Sequence, residues 1–473
     1  MQPEGEYVLY WMQSTHRLEE NWALRFAVRE ADRLNKPLII HQGLDPTYPH
    51  ANDRIHTAIL QNARELAARA DALGHAYHFV LRRRRDDDRR VVDRLAARAV
   101  QVVTDAFPTC GIAERTTRFA KRAPCRVVAI ESHGIVPSGS FEREEYAART
   151  IRPKLKALLS HALEPVEDRP ARKRPTRSLL ASLEIEPLSL ARLNVAAAVA
   201  GCEIDHDVLP VEWPSGLNAA RARLADFCAD GLRRYSERRP DPNDPEGTSH
   251  LSPYLHFGQI ASAEVARTVM ASTSSARADA FLGEFLVWRE LALNFCLRNP
   301  HHATIKGLPQ WARTTLRAHA TDPRTHTYSL RELEQARTHD DLWNAAQREL
   351  VTSGSMHNYM RMLWGKSVVL WTRRVMDALA WMIELNDKYA LDGRDPNSYA
   401  GIQWCLGKFD RPFAERPVLG MVRPMSLERA RQKFDAPRYI QRWAPMAHLP
   451  DAQVDLPLTE VVSARRPRAR PEL

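Results

Sequence analysis

The first third of the chain alternates short β-rich runs with helical stretches. The runs are Tyr7–Met12, Pro37–Gln42, Ala76–Leu81, Gln101–Ala106 and Arg126–Ser132, each rich in Val, Ile, Tyr, Phe or Leu. Between them, Asn21–Leu34 and Arg54–Leu73 carry apolar residues at helical spacing. This alternation predicts a parallel sheet with crossover helices, an α/β domain of Rossmann-like architecture over residues 1–164. No G-x-G-x-x-G follows the first run and no P-loop occurs, so the domain lacks a dinucleotide or triphosphate fingerprint. The run Arg82–Arg90 (RRRRDDDRR) reads as a solvated loop leading into a helix, whose N-terminus its acidic residues suit.

The pattern changes at Pro165. Pro165–Pro187 is rich in Pro, Arg and Ser without a clear period, and residues 165–200 read as an interdomain linker. Beyond it the β-runs disappear. Long helical stretches, among them Asp279–Leu297 and Leu342–Trp371, make 201–462 an all-α domain. The tail 463–473 is basic and expected to be disordered.

Composition narrows the class. The chain has 473 residues, 44% hydrophobic and 27% charged, with a net charge of +10. That is a globular protein with room for two or three domains. The positive charge either favours an anionic partner such as nucleic acid or reflects a generally Arg-rich composition. The six cysteines form no C-x-x-C pair, so no metal site is expected and a reducing compartment is. Met1–Gln13 lacks a basic stretch followed by an apolar core, so no signal peptide is expected, and no apolar run has membrane-spanning length. The expected location is cytoplasmic.

Candidate chemistry lies in the helical part, where nine of the eleven tryptophans fall at Trp213 or beyond. Thr248, Ser249 and Ser252 in GTSHLSPYLHFGQ offer hydroxyls before a helical stretch, as a phosphate cradle or as a plain N-cap. Glu284 and Trp288 are four apart on one helix face, which suits a planar heterocycle needing stacking and one hydrogen bond, or an ordinary half-buried Trp beside a carboxylate. Trp343, Trp364 and Trp371 fall on neighbouring helical segments. Trp364 and Trp371 share a face with Met356, Met360 and Leu363, as a core stripe or as an electron relay.

Together these segments resemble the class II cyclobutane pyrimidine dimer photolyases of the photolyase/cryptochrome superfamily. The likeness spans nearly the whole chain. It includes Tyr7–Leu24 and is strongest in Thr248–Ser262, Gly307–Leu316, Thr338–Leu350, Met356–Trp364 and Leu385–Trp404. The resemblance implies an α/β domain able to hold an antenna chromophore of deazaflavin or folate type, and a helical domain holding a U-shaped FAD. It implies light-driven electron transfer from reduced FAD to a dimer flipped out of damaged double-stranded DNA. No membrane or obligate protein partner is implied, and a monomer is expected.

Residue by residue, the resemblance assigns Tyr235, Thr248, Ser249, Leu251 and Ser252 to the FAD phosphates and ribityl chain. Arg361 and Asp392 match an ion pair beside the flavin ring, where Arg361 stabilises negative charge. Asn386 matches the amide facing flavin N5, with Asn397 the competing candidate. Trp288 and Trp404 match aromatic walls sandwiching the dimer, and Met362 a thioether packed against it. Glu284 matches a carboxyl hydrogen-bonded to the pyrimidine edge, protonated if an apolar pocket raises its pKa. Arg239 and Arg423 match DNA-facing arginines. Trp364, Trp343 and Trp371 match the relay that photoreduces FAD, with Trp364 nearest the flavin.

Departures from the family pattern cluster near the dimer pocket. The loop Cys405–Phe413 is one residue shorter and has Phe409 in place of a His. Leu363 and Pro424 replace tyrosines, and Asn358 a glycine. The loop is the one feature favouring a cryptochrome-like photoreceptor that keeps FAD and relay without repair.

Overall fold

The computed structural model describes residues 5–165 and 167–445. The tail 463–473 lies outside the described residues.

Five parallel strands form one sheet: β1 (Tyr7–Met12), β2 (Leu38–Leu44), β3 (Ala76–Leu81), β4 (Ala99–Asp105) and β5 (Arg126–Ile130), in the order β3-β2-β1-β4-β5. Every residue of β1 is buried, which explains its unbroken apolar run: helices cover both faces of a central parallel strand. The crossovers are α1 (Trp22–Arg33), α2 (Asp53–Leu73), α3 (Val91–Arg98) and α4 (Ile112–Ala120). Asn21 and Asn52 cap α1 and α2, each accepting a backbone N–H at 3.0 Å.

The strand order reverses between β1 and β4, where open α/β sheets usually bind ligands. Here Asp105, at the end of β4, accepts the N–H groups of Gln13, Ser14 and Thr15 and the Tyr10 hydroxyl at 2.7–3.0 Å. The chain's own loop thus occupies the crevice. Arg82, read as part of a solvated run, is buried: it pairs with Asp45 and donates to the carbonyls of Asp87 and Arg85. Residues 83–90 form the turn before α3.

The Pro-rich segment does not hang free. Ala171, Leu183 and Leu190 enter the cores on either side of the sheet, and Leu188 N–H donates to Phe79 O at 2.8 Å.

The remainder is helical. Five helices matter for the site: α5 (Ser275–Arg298), α6 (Asp341–Ser353), α7 (Asn358–Trp371), α8 (Val375–Tyr389) and α9 (Pro396–Cys405). The stretch expected to run from Leu342 to Trp371 is two helices. Gly354, at φ 69°, ends α6 in a left-handed cap, and the chain restarts after Met356. The two halves of the molecule are bolted by buried arginines. Arg17 donates to Gly258 O and Ser132 O, and Arg54 to Tyr389 O and Val351 O, at 2.5–3.0 Å.

Candidate active site

One large cavity, about 1310 Å3, opens in the helical half. That exceeds the roughly 300–1,000 Å3 of an ordinary small-molecule pocket. Its wall brings together sequence-distant residues: Tyr235, Thr248, Ser249, Leu251, Ser252, Glu284, Trp288, Arg361, Met362, Trp364, Asp392, Asn397 and Trp404, with Arg239 and Arg423.

One side is polar. Thr248 and Ser249 are half-buried and precede a helix of five residues, Ser252–His256. So short a helix has little macrodipole, and hydroxyl and amide groups are what this side offers an anion. Arg361, on α7, pairs with Asp392 at 3.0 Å, both largely buried. Asn397, in the first turn of α9, turns its amide onto Asp395 Oδ1 at 2.7 Å and lines the cavity. Asn386 does not line it: it is buried on α8 and spends its amide on Asp387 at 3.2 Å. Of the two candidate amides, only Asn397 is placed to meet a ligand. The polar loop, the shielded ion pair and the depth of the cavity fit an FAD molecule.

Another part of the wall is aromatic and half-exposed. Glu284 and Trp288 lie one turn apart on α5. Their partners alter two expectations. Trp288 and Trp404 touch, with ring centroids 4.5 Å apart and planes 30° inclined. A pyrimidine inserted between them needs about 7 Å, twice a van der Waals contact. The two rings stack on each other, so a dimer entering between them has to spread them. Glu284 occupies no apolar niche. Arg239 grips both its oxygens at 2.8 Å, and more than a third of the carboxylate side chain is exposed. So gripped, the Glu284 oxygens still have lone pairs left over for a further donor. Arg239 thereby faces the cavity rather than open solvent. Arg423 is the more exposed of the two, stacked over Phe413 at the rim.

Behind the cavity runs a stack of indoles. Trp364 lines the wall; Trp343 lies parallel to it, centroids 6.4 Å apart, and Trp371 meets Trp343 edge-on at 5.6 Å. All three are buried. Trp343 Nε1 donates to Trp364 O at 3.0 Å, and Trp364 Nε1 to Gln347 Oε1 at 2.9 Å.

Sequence reasoning missed Gln347 and Lys366. Each lies four residues beyond a singled-out residue, Trp343 and Met362, so helical spacing carried the signal. Lys366 is buried in the wall, donating to Trp404 O at 3.4 Å, and burial holds its amine below the usual lysine range. Trp213 and Trp443, given no role by the sequence, also line the cavity. Phe409 sits at φ 64°, a left-handed conformation uncommon for a bulky residue, in the shortened loop. That loop is pinned: Lys408 is buried, bonded to Gly307 O at 2.9 Å and to Glu144. Among the described residues no metal-binding cluster occurs, and no helix is long and apolar enough to cross a membrane.

Known proteins match this arrangement. Residues 8–172 match the DNA photolyase family model, and 281–469 the FAD binding domain of DNA photolyase. A deoxyribodipyrimidine photo-lyase of Methanothermobacter thermautotrophicus is 36% identical over 439 residues, covering 93% of this chain and 94% of the relative. Another, from Arabidopsis thaliana, is 34% identical, covering 92% and 88%. The crystal structure of a Synechocystis cryptochrome shares the fold, with a TM-score of 0.70 at 15% identity, over 94% of this chain and 89% of that one.

Proposed function

We propose, from the premise that this chain belongs to the DNA photolyase family of the photolyase/cryptochrome superfamily, that it is a class II enzyme splitting cyclobutane pyrimidine dimers in DNA. FAD is its cofactor; bound and reduced, it supplies a light-excited electron to the dimer and recovers it afterwards. Tyr235, Thr248, Ser249, Leu251 and Ser252 hold its phosphates and ribityl chain. Arg361, fixed by Asp392, presents positive charge that needs no rearrangement when negative charge develops. Asn397 is the amide offered to the ring, a choice supported by its place in the wall.

The dimer stacks against Trp288 and Trp404, with Met362 beside it. Glu284, acting as a carboxylate, accepts the N3–H of a pyrimidine while Arg239 holds its orientation. Trp371, Trp343 and Trp364 pass electrons inward to the cavity. Arg423, at the rim, takes a DNA phosphate, so affinity falls with salt. A light-harvesting chromophore of deazaflavin or folate type would belong to the α/β half.

One observation carries this reading. The phosphate-type loop, the ion pair, the aromatic pair and the end of the indole stack all line a single cavity. Illuminating the purified, reduced protein with dimer-bearing DNA should restore unmodified pyrimidines. Failure of FAD-loaded, reduced protein to do so would defeat the repair assignment. Equal binding of damaged and undamaged DNA would favour a photoreceptor, for which the shortened Cys405–Phe413 loop is the support.

A further inference from the structure

The loop presenting Asp392 and Asn397 to the cavity is held from behind by a residue that no motif singled out, Arg394. It is 4% exposed, and its backbone sits at φ 64°, a region that strains any residue with a Cβ. Hydrogen bonds hold that conformation at both ends. The Arg394 N–H donates to Asp387 Oδ1 at 2.8 Å, and Nη1 donates to Asp387 O at 2.9 Å. The Arg394 carbonyl accepts the Thr109 hydroxyl at 2.5 Å. Asp387 is itself fixed by the Tyr399 hydroxyl at 3.0 Å. Gly393 leaves the loop no slack, since a Cβ there would lie 2.8 Å from Asn386 O. Arg394 Nη2 finds no acceptor. A buried donor left unpaired destabilises a fold, and such a residue persists where its position matters.

Thr109 belongs to the other half of the molecule. It follows β4, beside the point where the strand order reverses. Among the described residues, Thr109 is the side chain of the α/β half that grips the middle of the flavin-side loop, and it does so between Asp392 and Asn397. We propose that Thr109 and Arg394 act together as a positioning device, through which the α/β domain sets the placement of Asp392 and Asn397 against the flavin ring. The proposal rests on FAD as the resident cofactor. It assigns Arg394 no contact with the ring.

Thr109→Val removes the hydroxyl with almost no change of shape, and a single lost hydrogen bond is worth about twofold to tenfold in an equilibrium. The holoprotein of this variant should release FAD about threefold to tenfold more readily on dilution, read by flavin fluorescence. Its flavin absorption bands should shift or broaden, and its midpoint potential should move. Thr109→Ser should restore all three. Arg394→Ala should exceed these effects in the same direction; where it does not fold, the Thr109 pair decides. Affinity for undamaged DNA should stay within about twofold, since the bolt lies away from the rim. Wild-type release, bands and potential in Thr109→Val would overturn the proposal, as would an equal loss of DNA affinity, which marks general loosening. Wild-type protein without a flavin band would instead defeat the FAD assignment, a separate failure.

Discussion

Two sets of tryptophans flank the cavity, and they are held in opposite ways. Trp343, Trp364 and Trp371 are buried, and two of their indole N–H groups have fixed acceptors in Trp364 O and Gln347. Trp288 and Trp404 are half-buried and lean on each other, and Trp404 Nε1 has no acceptor at all. The first set is complete before any ligand arrives. The second is half-buried and held by the contact of one ring on the other. An electron relay works through fixed distances, so it belongs in the core. A lesion site has to admit two linked pyrimidines from outside, so its contacts are made on binding. Residue type says nothing of this difference; burial and hydrogen bonding do.

The sharpest way to break the comparison is at Glu284. If the open side is the lesion site, Glu284→Ala should retain FAD and lower repair roughly tenfold or more, the value of one charge-assisted hydrogen bond. Repair at the wild-type yield would show that the Arg239–Glu284 pair is mere surface pairing. Trp404→Ala should come next. Stacking contributes about 1–3 kcal/mol per base, so affinity for dimer-bearing DNA should fall by about fivefold to 150-fold, with undamaged DNA little affected. Equal weakening for both DNAs would mean that the two rings serve the backbone and not the lesion.

Much of this was legible in the residues. The strands were: a central strand covered on both faces needs an unbroken apolar run such as Tyr7–Met12, and the edge strand Ala76–Leu81, in which only Phe79 is buried, carries Tyr, Phe and Val. That Glu284 shares a face with Trp288 followed from helical spacing. Ring-to-ring distances did not, because spacing places a side chain on a face and leaves its neighbour's distance and angle open, as for Trp288 and Trp404. The break at Gly354 was hidden because the flanking segments both carry the apolar period. Asn386 and Asn397 are alike as residues, and only the packing of α8 and α9 turns one inward. Arg394 had no signal, since its left-handed backbone is enforced by Thr109 and Asp387 from elsewhere in the chain.

The buried side is tested at its middle. Trp343→Phe keeps an aromatic ring but gives up the bond to Trp364 O, at about 1 kcal/mol of stability. Photoreduction of oxidised FAD should slow several-fold, since the phenyl ring is a far poorer electron donor. Repair by chemically prereduced enzyme should stay near wild type, because it never uses the relay. Unchanged photoreduction would reveal another route to the flavin.

The smallest effect comes from the back of the same helix that bears Glu284. Glu290 is buried against the α/β half, accepts the Ile135 N–H at 2.7 Å, and lies near Glu131. Burial pushes its carboxyl up to about 8, with the Glu131 charge adding to the rise. The unfolded chain releases that proton near the ordinary glutamate value of about 4.3. Between these limits the folded state holds a proton that the unfolded state has lost. Stability therefore falls as pH rises through that window and levels off above it. Glu290→Gln keeps the acceptor for Ile135 and cannot ionise. Its melting temperature should match wild type near pH 5 and exceed it by a few degrees near pH 8.5, with repair unchanged. Parallel melting curves across that range would mean that Glu290 is ionised in the fold. The buried side of α5 would then be less closed than the relay, and the contrast with the open face that carries Glu284 would shrink accordingly.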